Sequence, residues 1–154
     1  MAITVSTGMK EFPITNDKGE VVAVVVFNPT DPAFAERLYM AFAVLDDQDQ
    51  RYHDTMAELG GKEDPAKLFE IAREMDNEMR QKIDEALGTE VCRPAFGNVS
   101  VYAWSNGLPI WANLLLSIMD EMERITRDQA VRICGRQLYD YLIKKWKDDF
   151  HENH

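Results

Sequence analysis

The chain has 154 residues, 45% of them hydrophobic and 29% charged, and 17 basic residues stand against 27 acidic ones for a net charge of −10. That length suits one domain whose core needs neither disulfide nor metal, and the composition excludes a wholly disordered chain. The negative balance argues against nucleic acid as a partner and repels an anionic membrane surface.

The first thirty residues read as strand. Lys10 to Ile14 is one segment and Val21 to Phe27 a stronger one, because β-branched residues suit a pleated surface. Between them Thr15-Asn16-Asp17-Lys18-Gly19 carries residues that tolerate turn dihedrals, so a β-hairpin is expected. Ile3 to Val5 is a candidate for a short third strand. The second strand is apolar at consecutive positions, so both of its faces want cover, from helices or from another subunit. It is also the longest kind of apolar run in the chain, far too short to span a bilayer.

Asp31-Pro32 then gives a helix its N-cap and first turn. Phe34, Leu38, Phe42 and Leu45 follow as one apolar stripe. Asp46 to Gln50 reads as too polar for a core, with the stripe resuming at Tyr52, Met56 and Leu59 before Gly60-Gly61. Asp64-Pro65 repeats the start signal. Leu68, Ile71, Ala72, Met75, Met79, Ile83 and Leu87 mark the buried face of a second helix, and Arg73, Asp76, Arg80 and Asp84 its solvated face. Gly88 is a natural terminator. Residues 89–108 lose the periodicity. After Pro109 it returns through Ile110, Leu114, Ile118, Met122 and Ile125, and continues through Val131, Cys134, Leu138, Leu142 and Trp146 to a frayed tail.

The expected fold is therefore α+β and predominantly helical, with an N-terminal β-hairpin packed on three or four helices. It forms a single domain over 1–154, comprising a hairpin in 1–30, two helices in 31–88, a loop in 89–108, C-terminal helices in 109–149 and a frayed tail in 150–154. Leu38, Phe42, Ile71, Met75, Ile118 and Leu138 are expected in the core.

Candidate chemistry is sparse. His53, His151 and His154 are the only histidines, and they are too scattered for a metal site. Asp46, Asp47 and Asp49 lack the glycine of a calcium loop and its glutamate at the twelfth position, where Ala57 stands. No Gly-rich phosphate loop is present, and no base is placed near Cys92 for a nucleophile pair. Cys92 and Cys134 read as reduced thiols, since no charged-then-apolar leader marks the chain for an oxidising compartment. Neither catalysis nor a cofactor is expected. The eight methionines read as core filler or as an adaptable binding groove. Tyr102, Trp104 and Trp111, close to loop glycines, either anchor a partner or plug the core beneath the loop. Val24 and Val26 are candidates for partner binding on the hairpin, whose apolar edge invites self-association into a homo-oligomer.

Three segments together carry a family resemblance: the hairpin followed by Phe27-Asn28-Pro29-Thr30-Asp31-Pro32, the helix ending Ile83-Asp84-Glu85-Ala86-Leu87-Gly88, and Val91-Cys92-Arg93-Pro94-Ala95-Phe96-Gly97 ahead of a long helix. In order and spacing they resemble the tail assembly chaperones of tailed phages and prophages of Gram-positive gut bacteria, over most of the chain from Phe12 to Trp146. After Thr126 the chain is poorer in lysine than that family. The resemblance implies a non-enzymatic protein of the bacterial host's cytoplasm that coats the tape-measure protein and recruits tail-tube subunits while the tail is built. It also implies that a longer, frameshifted form can exist, and Lys144-Lys145 is a candidate slip site. A structural or adaptor protein of the phage neck or tail, and a small host regulatory domain, are the alternative readings. A gene lying just upstream of a very long helical reading frame favours the chaperone.

Overall fold

The computed structural model describes residues 1–125 and 136–145. Strands β1 (Lys10–Thr15) and β2 (Val21–Phe27) form an antiparallel hairpin in which Phe12 pairs with Val25 and Pro13 with Val24. Its turn is built by Asn16, whose side-chain oxygen accepts from the Lys18 and Glu20 N–H groups at 2.9 and 3.1 Å. The pleat separates two faces. Val25 and Phe27 are buried on the inner one, while Val24 and Val26 stand exposed on the outer one. Helix cover thus reaches one face only.

Helix α1 (Pro32–Leu59) opens as its sequence dictates, with the Asp31 carboxylate accepting from the Ala33 N–H at 2.9 Å. Phe27 links hairpin to helix by stacking between Phe12 and Phe34, at centroid distances of 4.2 and 4.5 Å. The polar run Asp46–Gln50 does not interrupt α1, and Gln48 and Asp49 are buried, against expectation. Distant donors reach their oxygens, while the buried Gln48 Nε2 has no hydrogen-bond partner among the described residues. Trp111 Nε1 donates to Asp49 at 2.9 Å, and Lys82 Nζ donates to Gln48 Oε1 at 3.0 Å, an oxygen that Arg51 also reaches.

Helix α2 (Pro65–Leu87) packs along α1 and ends at Gly88, whose φ of +74° closes the helix in the left-handed region. Asp64 precedes it but makes no side-chain cap bond. Met79, Ile83 and Leu87 are buried, whereas Ile71 and Met75 are only half-buried. The C-terminal half of α2 is the half that lies under the following loop. Leu38, Phe42 and Ile118 are in the core as expected, and Leu138 packs against its margin.

The stretch 89–108 is not a plain loop. It holds a one-turn helix, α3 (Cys92–Phe96), and a miniature hairpin of β3 (Trp104–Ser105) and β4 (Leu108–Pro109). Asn106 and Gly107 at the tip have φ of 57° and 82°, the two positive values that a tight two-residue hairpin requires and that Asn-Gly supplies. Three residues expected on the solvated face of α2 hold this stretch down. Asp84 Oδ1 accepts from the Val91 and Cys92 N–H groups at 2.9 and 3.0 Å, and Asp76 Oδ1 from the Val101 N–H at 2.8 Å. Arg80 pairs with Asp76 at 3.0 Å and donates to the Val99 carbonyl at 2.6 Å. Asp84→Ala should therefore lower stability by about 2–3 kcal/mol, since two backbone donors lose a charged acceptor. Asp84→Asn keeps an oxygen there and should lose about half as much or less. Urea unfolding of the two variants measures both.

Helix α4 (Ile110–Ile125) runs through the middle of the molecule and buries Trp111, Leu115 and Met122 among others. Residues 136–145 are helical and return to α1, where Leu142 is buried and Lys145 Nζ donates to Asp46 at 2.9 Å. Burial pulls the Lys145 ammonium toward neutrality, but the Asp46 hydrogen bond and charge outweigh it and hold the pKa above the usual lysine value. The expected continuation through Val131, Cys134 and Trp146, and the tail with His151 and His154, lie outside the described residues.

Candidate functional site

The hairpin and α4 do not close on each other. Between the inner hairpin face and α4 lies a cleft of about 790 Å³. One wall is Phe12, Ile14, Val25 and Phe27; the other is Ile110, Leu114 and Ile118 of α4; Phe96 and Val99 of the α3 stretch are also part of its lining. Aromatic stacking through Phe27 stiffens the first wall. The second is tied to the miniature hairpin by Asn113 Nδ2, which donates to the Ser105 carbonyl at 2.7 Å. The charged groups among the lining residues are both acidic, Asp17 in the hairpin turn and Glu121 on α4. A cleft of this size and character suits an apolar ligand surface.

Of the residues singled out from sequence, Trp104 belongs to this cleft and is about half exposed (47%). Val24 and Val26 lie on the opposite, outer face of the hairpin, 40% and 48% exposed. Tyr102 and Trp111 are corrections, because both are buried and offer no surface to a partner. Tyr102 stacks on Tyr52 at 3.9 Å with its hydroxyl donating to the Met75 carbonyl at 3.1 Å. Trp111 packs against Phe42 and spends its indole N–H on Asp49. Of the two roles open to them, these two take the core one. The cleft walls were not marked by any motif; their one signal was the unbroken apolarity of β2.

Titratable groups elsewhere form structural networks. His53 Nε2 lies 3.4 Å from the buried Asp49 carboxylate and its ring meets Tyr52 edge-on, so it is not the freely solvated side chain that its polar neighbours suggested. Burial and the charges of Asp49 and Asp76 push the Tyr52 phenol up, and burial above all does the same for Tyr102. Cys92 sits beside a shallow polar hollow of about 770 Å³ that includes Arg80, Asp84 and Arg93. Burial, then the Asp84 carboxylate, drive its thiol far above the usual cysteine range, the opposite of what a nucleophile needs. Among the described residues no group of three or more His, Cys, Asp or Glu side chains could hold a metal ion, and no helix is long and apolar enough to cross a membrane.

Comparison of the chain with known proteins finds no matching family model, no matching curated protein and no matching solved structure.

Proposed function

We propose that this chain is a non-enzymatic tail assembly chaperone acting in the cytoplasm of the bacterial host. It takes an apolar helical segment of the tape-measure protein into the cleft between the β1–β2 hairpin and α4, and works as an oligomer that brings tail-tube subunits to that client. The observation that carries this reading is the cleft itself. Two largely apolar walls stand apart around about 790 Å³. An amphipathic helix binds such a groove by laying its apolar stripe along it. The resemblance of the segments 27–32, 83–88 and 91–97 to the chaperone family points to the same kind of client. Asp17 and Glu121 in the lining and the net charge of −10 favour keeping a complex of two apolar surfaces in solution.

Co-expression with the product of the neighbouring long helical reading frame tests the proposal. The two proteins should co-purify. Ser117→Glu sets a charge on an exposed α4 position that lines the cleft, and Trp104→Ala removes the half-exposed ring there. Each should weaken the complex by about tenfold or more, the loss expected when a groove contact is cut or charged, and Ser117→Glu, at an exposed position, should keep the thermal midpoint. Absence of a complex sinks the chaperone reading. A complex indifferent to both substitutions moves the client away from the cleft and leaves an adaptor role that uses another surface.

A further inference from the structure

Ile3 to Val5, the candidate third strand, stand outside the sheet together with the rest of residues 1–7. All seven are exposed, Ile3 at 92% and Val5 at 77%, and among the described residues none makes a backbone hydrogen bond to the hairpin. Yet the segment has the pattern of a strand, with Met1, Ile3 and Val5 apolar at every second position and Ala2, Thr4 and Ser6 between them. Its base is held in place. Asn28 Nδ2 donates to the Thr7 carbonyl at 2.9 Å, just past the end of β2. Gly8 follows with φ of +69°, and a Cβ there would lie 2.6 Å from that same Asn28 nitrogen, so glycine is favoured at this position. The arm is thus anchored at one end and unpaired along the rest.

The hairpin shows the complementary lack. A two-stranded ladder has two open edges, and the edges differ here. Pro13 lies inside β1, and a proline in such a ladder keeps its ring nitrogen on the side away from the partner strand, so the outer edge of β1 is short of a donor. β2 contains no proline, and among the described residues no backbone hydrogen bond reaches its outward N–H and C=O groups. Val24 and Val26 line its exposed face two positions apart, the same spacing as Ile3 and Val5. Residues 1–7, extended, span roughly 23 Å, which matches the seven residues of β2.

We infer that residues 1–7 of one copy of this chain add as a third strand to the outer edge of β2 in a second copy. Main-chain hydrogen bonds supply the attachment, and Ile3 and Val5 beside Val24 and Val26 join exposed apolar side chains into one contact. Reciprocal exchange gives a closed dimer and one-way exchange an open chain of copies. This self-association is separate from whatever the cleft holds, so either can fail without the other.

Sedimentation velocity of the full chain from micromolar to submillimolar concentration tests it. The wild-type protein should sediment as a dimer or larger. Ile3→Asp/Val5→Asp should weaken self-association by about tenfold or more, and Thr4→Pro, which takes a donor from the arm without adding charge, should act in the same direction. Both should keep the far-UV circular dichroism of the parent, because the altered side chains are exposed in the single chain. A wild-type protein that is monomeric throughout overturns the inference. So does a wild-type oligomer whose sedimentation profile the two variants share.

Discussion

Phe42→Ala should cost about 3–5 kcal/mol of folding free energy and lower the thermal midpoint by roughly 6–20 °C. Phe42 is 2% exposed on the apolar stripe of α1, and its ring lies 5.2 Å from that of Trp111 on α4. It is one of the contacts through which α1 meets the central helix, so truncation opens a cavity where two elements join. Neither α1 nor α4 can shift to fill it without disturbing the Trp111–Asp49 bond a turn or two away. Tyr39→Ala on the same helix is the control. Tyr39 is 45% exposed, and its loss should stay within about 0.5 kcal/mol. Thermal unfolding followed by circular dichroism compares the two. Equal midpoints would mean that α1 buries a different face.

Trp111→Phe should also destabilise by about 3–5 kcal/mol, for an electrostatic reason more than a volumetric one. Phenylalanine retains most of the apolar body but carries no N–H. Asp49, whose side chain is only 3% exposed, then loses its indole donor while staying out of solvent, with His53 Nε2 3.4 Å away. The consequence is non-additive. Asp49→Leu alone should be costly, because it strands the indole N–H of Trp111. Asp49→Leu combined with Trp111→Phe should recover at least about 1 kcal/mol relative to the sum of the single changes, since donor and acceptor are removed together. A double-mutant cycle by urea unfolding reads this directly. Strict additivity would show that the Trp111–Asp49 bond carries no stability of its own.

Those two positions also mark where sequence reasoning reached its limit. The stripe that contains Phe42 was legible because a helix repeats every 3.6 residues and its apolar positions must share a face. The starts at Asp31-Pro32 and Asp64-Pro65, the stop at Gly88 and the turn around Asn16 were legible for a related reason, since each is chemistry acting within about one turn of chain. The Asn106-Gly107 hairpin had the same kind of local signal. Its strands carry no signal of their own, being two residues each, too short for any alternation to show.

The segment 46–50 could not be read that way. Five polar residues in a row state the cost of burying them, but not whether partners arrive to meet that cost. Here they come from 62 positions away for Asp49 and 34 for Gln48. The same holds for Asp76, Arg80 and Asp84, which look like a solvated helix face until the chain from 91 to 101 folds back onto them. Tyr102 and Trp111 are amphipathic rings equally suited to a surface or an interior, and their direction followed from which backbone and carboxylate oxygens lay within reach. Composition and periodicity by themselves determined an α+β chain with a hairpin ahead of amphipathic helices, because propensity, capping and turn chemistry are local. Only tertiary structure decided which polar groups went inside, which hairpin face was covered and that a cleft stayed open against α4. Those outcomes depend on contacts between residues far apart in sequence, where the energy of each group is set by the neighbours that folding brings to it.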